Sequence, residues 1–256
     1  MSSMDNIENV KEQDREFGCC ARYYINTYED DVQFAKSNGF GFLQLMYNNE
    51  GLLNKEVSIQ ADEIKRIGFP GIIHACLDIN DIEKHSQELV ETVKYLNHKD
   101  VILHPICRSE KIVESTIFKL SRIVSNLLFT MKKESISLFL ENNSKLDPIF
   151  TTTREIEIMF KENPDLEFVL DVAHIDNYVH LEEMVRIKYP KLLHITDRQL
   201  DEIHNHVPIG QGNIDFKYIF RDILPDYSGK LIIEVFQSDE DIISSKEYIK
   251  QLFIRQ

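Results

Sequence analysis

The sequence predicts an α/β protein built as a single (β/α)8 TIM barrel, with a metal site at the C-terminal ends of its strands. Three observations predict it. Eight strand-like runs alternate with eight amphipathic stretches along the 256 residues. The runs IIH, VILH, LFLE, FVLD, LLH and LIIE are apolar until a polar residue closes them, the pattern of strands buried on both faces of a parallel sheet. Six of the nine histidines, His74, His104, His174, His194, His204 and His206, fall with Glu141, Asp171 and Glu234 at or just past the ends of such runs. Strand-end windows cover roughly a fifth of a barrel, so chance would place only about two histidines there. Side chains from separate strands converge only where one architecture gathers the strand ends on a single face, as a barrel does. A doubly wound open sheet alternates in the same way, but its ligands gather at a switch point and are not drawn from six successive strands.

The elements follow in order. A first strand over Phe17–Tyr24 leads to a helix over Asp30–Ser37, which Gly39 closes. A strand over Phe40–Tyr47 precedes a helix over Ser58–Ile67, closed by Gly68. The pairs Gly71–Leu77 with Ile82–Leu96, and Val101–Ile106 with Ile112–Met131, continue the alternation. After the strand Ile136–Glu141, Thr151–Thr153 offer N-cap side chains ahead of Glu155, opening a helix over Thr153–Lys161 that Pro164 stops. The strand Glu167–Val172 is followed by a helix over Leu181–Lys188, ended by Pro190. Lys191–Thr196 with Phe216–Ile223, and Lys230–Phe236 with Asp241–Phe253, complete the set.

No Pro/Gly/Ser-rich linker divides the chain, so residues 16–256 are expected to form one barrel domain behind a polar, flexible leader at 1–15. That leader lacks the apolar core of a signal peptide, and no run approaches the ~18–20 apolar residues that span a bilayer. A cytoplasmic protein without membrane contact is the expectation. Cys19, Cys20, Cys76 and Cys107 show no CxxC pairing and read as reduced, small core residues. His85, His98 and His180 sit on helix patterns and read as surface. The net charge of −14 repels polyanions at long range, although a local cationic site can still hold one phosphate.

Taken together, His74 in GIIHACLDIN, His104 in VILHPIC, Glu141 in LFLENN, Asp171 and His174 in VLDVAH, His194 in LLHITD, His204 and His206 in IHNHVPIGQGNID, and Glu234 in LIIEVF form one ordered series. In this order it resembles the xylose isomerase-like TIM-barrel superfamily, which holds sugar and sugar-phosphate isomerases and epimerases together with the endonuclease IV type of abasic-site nuclease. The resemblance runs from about the third strand to the eighth.

The resemblance implies that Glu141, Asp171, His194 and Glu234 hold one divalent cation, for which zinc, manganese, magnesium, cobalt and iron all suit three carboxylates and an imidazole. In the epimerase branch Glu141 and Glu234 then act as proton-removing base and returning acid across a metal-stabilised enediolate, and His174 meets a substrate hydroxyl. In the nuclease branch three zinc ions are held, the first by His74, His104 and Glu141, the second by Glu141, Asp171, His194 and Glu234, and the third by His174, His204 and His206. That branch has an Asp where this chain has His204, which would weaken the third ion's hold. The strand-end loops also offer chiefly Arg108, Lys145 and Arg198 against Asp78, Asp147, Asp176, Asp201, Glu202, Asp239 and Glu240, a poor surface for DNA.

The favoured expectation is therefore a metal-dependent isomerase or epimerase whose partner is a small sugar or sugar phosphate. Nucleic acid enters only under the endonuclease reading, and a homo-oligomer is left open. A lyase or dehydratase using the same metal core is a third class. Arg22, Gln44, Asn142 and Arg198 sit where substrate contacts could form, and Gly210 and Gly212, after the seventh strand, could cradle a phosphate on their amides.

Overall fold

A computed structural model describes residues 15–254. The chain runs β1 (Phe17–Cys20), α1 (Tyr28–Ser37), β2 (Phe42–Asn48), β3 (Gly51–Leu52), α2 (Val57–Ile67), β4 (Gly71–Asp78), α3 (Ile82–Leu96), β5 (Asp100–Ile106), α4 (Glu114–Lys133) and β6 (Ser137–Glu141). It continues through α5 (Thr153–Glu162), β7 (Glu167–Asp171), a 3₁₀ turn (Val172–His174), α6 (Tyr178–Ile187), β8 (Leu192–Ile195), α7 (Phe216–Tyr218), β9 (Lys230–Ile233) and α8 (Asp239–Ile254). Eight of these strands pair in parallel in the cyclic order β1, β2, β4, β5, β6, β7, β8, β9, and the β1–β2 and β1–β9 pairings close the ring. The short β3 lies outside it, folding back antiparallel on β2.

Local chemistry sets the helix ends. Thr27 with Asp30, and Thr152 with Glu155, form capping boxes at the starts of α1 and α5. Gly68 closes α2 in the left-handed conformation. Asn38 rather than Gly39 caps α1, with Gly39 following at positive φ. The expected helix over Phe216–Ile223 is one short turn, α7, that widens into a π turn over Ile219–Ile223.

The first strand ends earlier than the apolar run of the sequence implied. Beyond Cys20 the chain leaves the ladder for a turn in which Arg22 is held: its backbone N–H donates to Asp31 at 2.6 Å and its guanidinium pairs with Asp31 and Asp239.

The barrel interior is layered. Cys20, Phe42, Ile72, Ile102, Phe139, Val169, Leu192 and Ile232, one residue from each ring strand, form a closed apolar plug. Gly18, the register partner of Phe42, leaves that ring its space: a Cβ there would lie 2.2 Å from the Phe42 ring. The larger apolar core lies outside the plug and buries the opposite strand faces against the helices. Among the described residues, no helix is long and apolar enough to cross a membrane. The leader expected at residues 1–15 lies outside the described residues up to 14. Arg15 donates to the Tyr227 carbonyl at 2.9 Å and stacks on Phe253.

Candidate metal centre

Side chains alternate faces along a strand, so on seven of the eight ring strands the residue two positions after the plug residue points into the barrel one layer higher, whereas on β1 that position is Arg22, tied to Asp31 and Asp239. Those residues are Gln44, His74, His104, Glu141, Asp171, His194 and Glu234. The fold thus builds the polar ring from the same register that builds the plug. His74 and His104 close the apolar runs of the sequence but lie inside β4 and β5, which continue past them to Asp78 and Ile106.

Glu141, 1% exposed, is the common partner. Its Oε2 lies 2.7 Å from His74 Nε2 and 3.0 Å from His104 Nδ1. Its Oε1 lies 2.9 Å from His194 Nδ1 and 3.8 Å from His174 Nδ1. His194 Nδ1 also faces Glu234 Oε1 at 3.4 Å and Asp171 Oδ2 at 3.8 Å. On its other side His194 Nε2 meets the Gln44 amide oxygen at 2.9 Å, and Gln44 donates its own N–H to Glu234 Oε1 at 2.6 Å. Gln44 therefore orients a histidine and a carboxylate together, the outer-shell role that fixes which imidazole nitrogen faces a metal.

Three groups of side chains present donor atoms within 4.8 Å of one another: Glu141 with Asp171, His194 and Glu234; His174 with His204 and His206; and His74 with Cys76 and His104. His174 is set for ligation. A carbonyl oxygen only accepts, so the 2.8 Å contact to Asn142 O places the ring hydrogen on Nδ1 and leaves Nε2 a bare lone pair. That Nε2 lies 3.5 Å from Asp171 Oδ2, and neither atom has a hydrogen-bond partner although both are buried. His74 Nδ1, His204 Nδ1 and His206 Nε2 are likewise buried without partners. Buried polar atoms without partners are costly, and electron-pair donors facing one another are a geometry that a cation satisfies. The residues present fit a divalent ion.

The electrostatics agree. Burial pushes Asp171 well above the ordinary carboxylate range, reinforced by Glu234 and Glu141. Burial acts on Glu141 in the same sense, but His194, His104 and His74 outweigh it and hold that carboxyl well below its usual value. Burial likewise opposes ionisation of Glu234, whose net shift is downward because of His194. Burial keeps His174 and His204 neutral and lowers His206 to about 4. His74, His104 and His194 are shifted the other way, since burial is outweighed by their acidic neighbours, so their imidazoles favour the positive charge that a metal ion would replace.

A cavity of about 350 Å³ opens over this floor, walled by Tyr23, Tyr24, Met46 and Phe236. The other residues expected to touch substrate are placed differently. Arg22 is spent on Asp31 and Asp239. Asn142 is wholly buried and hydrogen bonds across to the backbone of Asp171. Arg198, also buried, donates to the carbonyls of Ile175 at 2.6 Å and Ile203 at 3.3 Å and borders a smaller pocket with Lys145 and His174. The Gly210 and Ile214 amides do cradle an anion, but it is the chain's own Asp197 carboxylate, at 2.9 and 3.0 Å. Gly212 is required there, since a Cβ would lie 2.2 Å from Asp197 Oδ1.

Two further expectations change. Cys76 is not core: it lines the cavity beside His74. Gln44 lines the cavity, where a substrate contact would lie, and also hydrogen bonds to His194 and Glu234. His85, His98 and His180 are half-buried rather than surface. His85 Nδ1 meets Tyr47 Oη at 3.0 Å, and His180 Nδ1 accepts from the Asp176 amide at 3.1 Å. His98 packs on Gly71, and burial lowers it to about 4.

The profile of the family described as xylose isomerase-like TIM barrel matches residues 32–252. No curated protein sequence matches the chain. Among solved structures, D-allulose 3-epimerase from Methylomonas sp., in complex with D-allulose, is similar with a TM-score of 0.74 at 15% identity, over 93% of this chain and 96% of that one. The IolI protein with a binding zinc atom is similar with a TM-score of 0.72 at 16% identity, over 94% and 98%. Endonuclease IV from Thermus thermophilus is similar with a TM-score of 0.67 at 15% identity, over 94% and 100%. At such identities the likeness is one of fold.

Proposed function

The chain belongs to the xylose isomerase-like TIM-barrel family, and from that premise we propose that it is a divalent-metal-dependent isomerase or epimerase of a small sugar or sugar phosphate. One observation carries the reading. Glu141 and Glu234 flank a single imidazole nitrogen of His194, at 2.9 and 3.4 Å, on the floor of a cavity of about 350 Å³. Two carboxylates converging on one point suit proton removal from one side of a carbon and return from the other.

Zinc, manganese, magnesium or cobalt held by Glu141, Asp171, His194 and Glu234 would polarise neighbouring oxygens of a carbonyl sugar and acidify the proton on the carbon between them. Glu234 is the base. Gln44 and His194 hold its Oε1, leaving Oε2 toward His206 at 3.7 Å, and its lowered pKa keeps it ionised. Glu141, on the other side of His194 Nδ1, completes the acid/base pair. His174, fixed by the Asn142 carbonyl, aims Nε2 at a substrate hydroxyl. Tyr23, Met46 and Phe236 cover the less polar sugar face and limit water.

A second reading, a zinc phosphodiesterase acting on abasic-site DNA, is favoured by one feature. Glu141 gives one oxygen to His74 and His104 and the other to His194, the arrangement of a bridging carboxylate, with the His174, His204 and His206 group alongside. His204 in place of an Asp and the net charge of −14 weigh against it.

The test is zinc- and manganese-loaded protein offered ketose and aldose panels and, in parallel, an abasic-site duplex. Sugar interconversion that Glu234→Gln abolishes supports the proposal. Nicking 5′ to the lesion that Glu141→Gln abolishes replaces it with the second reading, and activity in metal-free protein sinks both.

A further inference from the structure

We propose that Cys76 joins His74 and His104 as a thiolate ligand, making the β4–β5 flank of the barrel mouth a subsite for a soft divalent ion such as zinc. This rests on reading the barrel mouth as a cation site, but not on the sugar reaction.

Strand geometry brings the three together. His74 and Cys76 are two apart on β4 and so share its inward face, while Cys76 is the register partner of His104 on β5. Their donor atoms all lie within 4.8 Å of one another, with Cys76 Sγ 3.9 Å from His74 Nε2. Glu141 Oε2 lies at hydrogen-bond distance from both imidazoles, at 2.7 and 3.0 Å, adding a carboxylate to two nitrogens and a sulfur. His74 is 5% exposed, and it is Nε2 that faces both Glu141 and Cys76. Two imidazoles, one thiolate and one carboxylate make a four-donor set of the kind zinc takes tetrahedrally.

The softness of sulfur gives this flank a selectivity that the Glu141, Asp171, His194 and Glu234 group lacks, since oxygen-rich sets suit magnesium and manganese whereas thiolate selects zinc and its neighbours. Binding balances simply. The Cys76 S–H bond breaks, its proton leaves to solvent through the cavity that Cys76 lines, and a metal–sulfur bond forms.

The test uses the full chain, stripped with chelator and titrated with cobalt(II). Near-ultraviolet absorption reports a thiolate-to-cobalt charge-transfer band, and elemental analysis reports bound cobalt. The expected result is a band in wild-type protein and in Cys20→Ser, the other cavity cysteine, with loss of the band in Cys76→Ser. Cys76→Ala, giving the same loss, guards against a misfolded serine variant. Cobalt bound without a band, or a band that survives in Cys76→Ser, overturns the thiolate while leaving the cation site standing. Absence of bound cobalt overturns both.

Discussion

Replacing Gln44 with leucine removes the amide that faces His194 and Glu234 while nearly conserving volume. The amide oxygen accepts from His194 Nε2 at 2.9 Å, and its N–H donates to Glu234 Oε1 at 2.6 Å. The site favours charge on both partners: His194 is raised, since Glu234 and Glu141 outweigh the opposing burial, and Glu234 is lowered. A hydrogen bond to a charged group contributes about 1.5–3 kcal/mol, and the buried leucine side chain returns about 1.5–3 kcal/mol. The two bonds together contribute about 3–6 kcal/mol, so the net loss is about 1.5–3 kcal/mol, which at about 2–4 °C per kcal/mol for a chain of this size lowers Tm by about 3–12 °C. The outer-shell role predicts a further effect, a cation affinity about 10–100-fold weaker. Thermal unfolding with and without chelator measures the first, and equilibrium dialysis against zinc the second. A folded Gln44→Leu variant that binds zinc as tightly as wild type would refute the positioning role. Gln44→Glu should be worse in the metal-free state, because it sets a carboxylate against Glu234.

Glu234→Gln is expected to lower turnover by about 10²–10⁴-fold with an unchanged far-ultraviolet CD spectrum, and retained turnover on a substrate from the sugar panel would remove Glu234 from the base role. Gly212→Ala should cost about 1–3 kcal/mol in urea unfolding, since its Cβ must displace Asp197 Oδ1 or the Arg198 backbone. His98 is lowered to about 4 in the fold, against an ordinary value near 6.5. Its neutral form therefore stabilises the protein fully above about pH 6.5, and that contribution disappears as pH falls toward 4. Allowing for its partial exposure, the effect is on the order of 2 kcal/mol. His98→Gln should shrink the stability difference between pH 7 and pH 4.5 by that amount, and an identical pH dependence in the variant would contradict the assignment.

Much of the barrel was legible because parallel strands, buried on both faces, write themselves as apolar runs, and VILH or LFLE admits little else. The carboxylates and histidines of the ring were legible because each ends such a run. Other features depend on what lies across space. Nothing local in FGCCARYY says that Arg22 pairs with Asp31 and Asp239, so the first strand was read too long. Cys76 was hidden by residue type: a cysteine inside an apolar strand reads as core, although its two-residue step from His74 placed it on the wet face. The glycines at 210 and 212 were read as a phosphate cradle on their amides, whereas the Gly210 and Ile214 amides hold the chain's own Asp197 and Gly212 leaves it room, a fold-back that the sequence does not show. His98 follows the α3 helix at its left-handed Asn97 cap, and only the tertiary return onto Gly71 buries it.

Asn142 extends the β6–β7 ladder past the end of its backbone pairing: its side chain accepts from Asp171 N at 2.8 Å and donates to Asp171 O at 3.2 Å, while its own carbonyl holds the His174 ring at 2.8 Å. One residue thus ties a member of the carboxylate group to a member of the imidazole group. An ion that draws Asp171 toward itself must carry the Asn142 linkage with it, and His174 moves in step. Were both groups to hold an ion, this tie would couple their loading, and cutting it with Asn142→Ala should make the two binding curves independent.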